Sequence, residues 1–370
     1  MTTVMRASDS AELLGLVPAL AGFTPRDSLV ILPFRAGRAH GAMRMDLPDA
    51  GIAPDEFADA ALHLVLRLPE VDAAAVVVYS DDPVQRVPDG LLLPHLTVVE
   101  ELIGTLHDAG VHILEALCVT DDGWADYFDE MPRLRALDEI PPAPDLPGIG
   151  DVSGDQLAGS ALPSADLAER ERVGHALADL SAVLDRERRG APVSAESHPS
   201  ALAAVILLED IPAFAEAVLD EPDDLPPFAC AALLWSLSQP TIRDAMLVQW
   251  ATDAAFGIRA LSAQLSYSAS GEAIPDAVGQ VFLGRGARPD PDRLGCALQV
   301  VRLAAARAPR EARPGALTAA AWLAWALGRS SHAGAYVDEA LQIEPTHRMA
   351  ALIGTMLSAA LLPEWALRRG

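Results

Sequence analysis

Five aspartates stand where strands are expected to end, and their chemistry is the easiest in the chain to name. Asp46 closes a short apolar run, Asp81 and Asp82 follow Ala73–Tyr79, and Asp121 and Asp122 follow Val111–Val119. In open α/β sheets, ligands sit outside the carboxyl ends of parallel strands. Carboxylates gathered there can hold Mg²⁺ or Mn²⁺ through one or two direct contacts and several waters. Such an ion offsets negative charge and admits a phosphorylated substrate. Asp46, Asp81 and Asp82 are therefore the metal-site candidates under a metal-assisted hydrolase or phosphoryl-transfer reading. The competing reading is turn chemistry. Asp122-Gly123 is a hairpin signal, Asp82-Pro83 an ordinary turn, and Asp46 precedes the bend at Leu47-Pro48. Asp27 and Ser28 form a second, loop-borne pair that can hold an anion or supply a hydroxyl. Beside a strand start, such oxygens more commonly satisfy loop N–H groups.

Absences exclude more than motifs establish. The chain has no lysine and no asparagine, so all 27 of its Lys-plus-Arg residues are arginine. A Walker P-loop and a protein kinase both need a lysine on the phosphates, and Schiff-base chemistry needs its amine. No G-x-S-x-G elbow, H-E-x-x-H pair or strand-borne G-x-G-x-x-G is present. Cys118, Cys230 and Cys296 are too dispersed for a C-x-x-C ligand pair and read as reduced core residues. His107 and His112 straddle Gly110, His95 opens a helix and His63 falls inside one, so no histidine pair has ligand spacing with a third partner. A net charge of −25 argues against nucleic acid, whose affinity comes from cations neutralising phosphates, and against acidic membrane surfaces. Apolar runs are too short to span a bilayer, and the opening residues lack the pattern of a secretory signal. The expectation is a cytoplasmic protein.

The elements that position these residues divide the chain. Asp9 and Glu12 open a helix carrying Leu13, Leu14, Val17 and Leu20, which Gly22 stops. Strands are expected at Leu29–Phe34 and His40–Asp46, joined through Ala36-Gly37-Arg38. A helix over Pro54–Leu66, a strand at Ala73–Tyr79, a helix over Leu96–Ala109, a strand at Val111–Val119 and a hairpin into Trp124–Phe128 follow. This order predicts an α/β domain over residues 1–136, with a mixed, partly parallel sheet and flanking helices. Residues 137–163 are rich in Pro, Gly (including Gly148, Gly150, Gly154 and Gly159) and Asp, and read as a linker.

Residues 164–370 read as an all-helical domain broken by Pro and Gly. Expected helices include Thr241–Phe256, Gly315–Leu327 and Ser331–Ile343. The last two fit a tetratricopeptide-like hairpin, with Ala320, Ala324, Ala333 and Ala340 small enough for close helix approach and Pro345 ending the pair. Phe214–Pro222 echoes Val337–Pro345 at a distance of 123 residues, which is not a multiple of the 34-residue period. One hairpin within an irregular helical domain is the expectation.

The opening run Arg6, Ser8, Leu13, Leu14, Val17, Pro18, Gly22, Phe23, Pro25, Asp27, Ser28, Leu29 and Val30 resembles an actinobacterial family known as domain of unknown function 4192. Asp46-Leu47-Pro48, Tyr79-Ser80-Asp81-Asp82 and the tail Ala324–Gly328 with Glu344-Pro345 extend the likeness. The resemblance implies a cytosolic protein of high-GC bacteria and carries no catalytic residue with it. The favoured functional expectation is a non-catalytic interaction or regulatory protein whose helical domain binds a protein partner, with no resident cofactor. The metal-assisted enzyme is the alternative.

Overall fold

The computed structural model describes residues 7–367 apart from residues 40, 89, 145–150, 191–196 and 224. Arg6, His40, Gly148 and Gly150 lie outside the described residues. Two compact units divide the chain, Met1–Ala158 and Gly159–Gly370.

The first unit opens with α1 (Ser10–Ala21), whose start and stop follow the sequence signals. Asp9 accepts the Glu12 N–H at 2.8 Å, and Gly22, at φ 85°, returns its N–H to the Pro18 carbonyl. Glu12 reaches back one residue further than a capping box requires, taking the N–H and hydroxyl of Ser8. β1 (Ser28–Arg35) turns through Ala36 and Gly37 into β2 (Arg38–Ala39). Both turn residues have positive φ, 48° and 72°, matching the twist of the flanking strands. Of the second strand expected over His40–Asp46, the described strand is β3 (Met43–Asp46), paired with β1, and β2 precedes it, starting at Arg38 of the expected loop.

α2 (Pro54–Val65) leads to β4 (Ala73–Tyr79), and α3 (Leu96–Asp108) leads to β7 (His112–Thr120). Between β4 and α3 lies a small hairpin, β5 (Gln85–Val87) and β6 (Gly90–Leu92), that the hydrophobic pattern did not reveal. Three-residue strands are too short for alternation to register. β8 (Gly123–Asp126) closes the sheet, whose order is β2-β1-β4-β7-β8 with β3 also on β1. β4 and β7 are parallel and the other pairings antiparallel.

β4 is buried from Ala73 to Val78, as a central strand covered on both faces must be. Leu13, Leu14 and Val17 of α1 pack on Val30, Leu32, Ala75, Val77, Leu117 and Trp124. Leu29, Ile31, Val76 and Val78 point to the other face by strand alternation. Described residues of the segment read as a linker, Pro141, Val152 and Gly154 among them, contact this unit, which runs to Ala158. A Cβ at Gly15 would lie 2.6 Å from the Pro141 carbonyl oxygen, and Thr24 bonds the Val152 and Gly154 carbonyls.

Among the described residues the second unit consists of helices and connecting turns. They are α4 (Leu167–Arg188), α5 (Pro199–Glu209), α6 (Ile211–Asp220), α7 (Pro227–Ser238), α8 (Pro240–Ala251), α9 (Ala254–Ser270), α10 (Asp276–Phe282), α11 (Pro291–Arg307), α12 (Pro314–Ala326), α13 (Ser330–Ile343), α14 (Arg348–Ser358) and α15 (Glu364–Leu367). The single helix expected over Thr241–Phe256 is broken at Thr252-Asp253. Asp253 accepts the Phe256 N–H at 2.7 Å and so caps a new helix, α9, that runs to Ser270. Serines 262, 266, 268 and 270 masked it, because serine competes with its own backbone and lowers helix propensity.

Every residue of α12 is buried, so this helix is the axis of the unit. Its indoles are satisfied: Trp322 donates to the Phe282 carbonyl and Trp325 to that of Leu361. Trp365 donates back to Ala326 of the same helix. α13 follows after Leu327-Gly328-Arg329, and Ala320, Ala324, Ala333 and Ala340 are all buried. Among the described residues no helix is long and apolar enough to cross a membrane.

Candidate functional site

Strand register brings the chemistry-bearing residues to one edge of the sheet. Ser28 faces both Asp46 and Tyr79, Tyr79 faces Val119, and Thr120 faces Gly123. The start of β1 and the ends of β3, β4 and β7 therefore lie side by side. Placing Asp27, Ser28, Asp46, Asp81, Asp82, Asp121 and Asp122 along this edge is the work of topology, since β1 runs against its neighbours.

The side chains do not converge. Ser28 is fully buried, donates to the Arg26 carbonyl at 2.5 Å and accepts Arg44 Nε at 2.8 Å. Arg44 in turn pairs with the exposed Asp46. Asp81 faces a different cation, Arg26, at 3.7 Å, and Gln156 holds the Arg26 backbone through both its amide atoms. Asp27 is exposed and adopts φ 42°, a turn conformation that aspartate tolerates. Asp121 and Asp122 are exposed at the β7–β8 turn, where the Asp122 N–H bonds Thr120 Oγ1. Ser28 thus serves its own loop, and each metal-candidate carboxylate has its own basic partner. Among the described residues no three His, Cys, Asp or Glu side chains are placed to hold one ion.

A different group does come together, at the carboxyl end of β4. Ser80 is 5% exposed, and its Oγ lies 3.3 Å from His95 Nε2. The Asp82 N–H donates to the same hydroxyl oxygen at 3.1 Å, and Asp82 Oδ2 lies 3.7 Å from the imidazole nitrogen. The β5–β6 hairpin and the start of α3 enclose an open cleft of about 370 Å³ beside this group, lined by Asp82, Pro83, Gln85 and Leu92 through Thr97.

His95 is held by its surroundings. It occupies the N-cap of α3 at φ 56° with no side-chain cap bond, and Tyr127 fixes the preceding carbonyl, Pro94, with a 2.6 Å hydrogen bond. Tyr127 packs in turn against Leu93 and Cys118, whose thiol burial pushes up to about 11, leaving it a protonated core residue. Sequence reading missed this cluster because Ser80 and His95 are 15 residues apart across a hairpin that left no pattern. The strand-end position of Ser80 was the one available signal.

These features define a two-unit protein: an α/β unit with a cleft at the carboxyl end of a parallel strand pair, and a larger helical unit. The chain belongs to the family described as Domain of unknown function (DUF4192), whose model matches residues 11–364, nearly its whole length. No curated protein and no solved structure matches the chain.

Proposed function

We propose that the protein acts as an interaction or regulatory protein whose helical unit binds a partner protein. The observation that carries this reading is the outer surface of α9. Ile258 and Leu265 are 52% and 54% exposed and stand two turns apart on one face, with the partly buried Leu261 between them. Arg259 is the sole charged residue from Ala254 to Ser270, in a chain whose residues are 21% charged. Ser268 and Ser270 turn their hydroxyls back to the Gln264 and Ser266 carbonyls of the same helix. Exposed apolar side chains on a surface depleted of charge are the compositional mark of an interface core.

The tetratricopeptide-like character of α12 and α13 belongs to this proposal as well, resting on their four buried alanines. Because α12 is enclosed, it cannot line an open groove, which directs the binding role to α9. The test is Ile258→Glu and Leu265→Glu in tagged full-length protein, recovered from cells that naturally express it. Wild type and a Leu66→Glu control on the first unit, also at an exposed position, should retain the same partner. Both α9 variants should lose it at unchanged melting temperature. Retention by both would defeat the reading.

A further inference from the structure

We infer that Ser80 and His95 form a nucleophile–base pair, giving the first unit an acyl-transfer activity on short-chain esters. Ser80 Oγ accepts the Asp82 N–H and lies 3.3 Å from His95 Nε2, and the pair works in the tautomer whose Nε2 lone pair accepts the Ser80 hydroxyl proton. That is the ground-state polarity a nucleophilic serine needs: a hydroxyl hydrogen-bonded to an imidazole lone pair. Asp82 Oδ2, 3.7 Å from the same nitrogen, faces the position the proton reaches on transfer and stabilises the imidazolium formed there. Asp82 is a positioning residue in this scheme. The Pro94 carbonyl anchored by Tyr127 fixes the backbone entering His95.

The reaction balances with water as the one co-reactant. Ser80 Oγ attacks the ester carbonyl carbon as its proton moves to His95 Nε2. The carbon–oxygen bond to the alcohol breaks, and the alcohol leaves with that proton. Water then attacks the acyl–Ser80 ester, Nε2 taking its proton and returning it to Ser80 Oγ as the carboxylic acid departs. The Leu96 and Thr97 N–H groups open α3 beside the cleft with no capping side chain and supply donors for the oxyanion. Size follows from burial. Ser80 is 5% exposed, which limits the acyl group to a short chain. Leu92, Leu93 and Leu96 offer an apolar wall to the alcohol portion.

The experiment treats full-length protein with a fluorophosphonate probe and, separately, with p-nitrophenyl acetate, and maps the labelled residue by mass spectrometry. Ser80 should be labelled in the wild type. Labelling and hydrolysis should vanish in Ser80→Ala and fall at least about 100-fold in His95→Gln, the scale of a lost general base. Asp82→Asn should lower the hydrolysis rate more than the affinity for ester. Absence of label on Ser80 in the folded wild type overturns the inference, whatever the variants do. Equal labelling of Ser80 in wild type and in a folded His95→Gln also overturns it.

Discussion

Substituting Ala340 by leucine tests the axis of the helical unit directly. Ala340 and Ala333 are 0% exposed on α13, and Ala320 and Ala324 are 0% exposed on α12. A leucine adds three carbons at a position with no accessible space, so neighbouring side chains must leave their rotamers or the helices must separate. Overpacking of this kind costs about 1–3 kcal/mol. For a unit of roughly 200 residues, each kcal/mol lowers the melting temperature by about 2–4 °C. The expected decrease is therefore about 2–12 °C for Ala340→Leu and for Ala333→Leu. Differential scanning calorimetry reads it, with the exposed Ala351→Leu on α14 as a control for added hydrophobicity. The assay should resolve two transitions or one, and the shift belongs to the component carrying the tryptophan core. If both buried variants melt within about 1 °C of the control, the close alanine contact is not what holds α12 and α13 together.

Three further outcomes follow from the same structure. Gly315 sits where a Cβ would lie 2.6 Å from the Leu237 carbonyl oxygen, so Gly315→Ala should cost about 1–3 kcal/mol in urea unfolding even though alanine is the better helix former. The Arg293 guanidinium and Gln249 amide hold the Glu216 carboxyl below its ordinary range. A depressed folded value means its stabilisation is complete above about pH 4.3, the unfolded value, and is lost as pH falls through the lowered one. Wild type should therefore exceed Glu216→Gln in urea midpoint at pH 7, with the gap narrowing by pH 3; a gap that is constant with pH would remove Glu216 from the linkage. Finally, Mg²⁺ should raise the melting temperature no more than NaCl of equal ionic strength, because Asp46 and Asp81 pair with different arginines and Asp82 faces the His95 imidazole. A Mg²⁺-specific rise that Asp81→Ala abolishes would restore the metal reading.

Local chemistry was legible in the sequence where the cause is local. Asp9 and Gly22 bound α1, and Ala36-Gly37 turns β1 into β2. The buried run Ala73–Tyr79 is the central strand, and Asp121-Asp122-Gly123 makes a hairpin. Each rests on one or two residues whose conformational preference is nearly independent of context. α9 was not legible, because a capping aspartate, Asp253, and a serine-rich tail pull propensity in opposite directions, and packing on the rest of the unit decides the contest. The same limit hid the β5–β6 hairpin.

The sequence by itself determined that aspartates stand at strand ends, that lysine chemistry is excluded, and that the second half is helical. Only the tertiary structure decided what those strand ends do. Register is a long-range property: pairing Ser28 with both Asp46 and Tyr79 sets the edge, and Asp81 turns to Arg26, remote in sequence, while Asp46 turns to Arg44 of its own strand. Likewise Ser80 and His95 meet because β4 ends where α3 begins in space, across a hairpin that carries the chain away and returns it. Spacing along a chain records what adjacent residues can do. Proximity across it is set by the packing of whole elements, which no short segment of this sequence encodes.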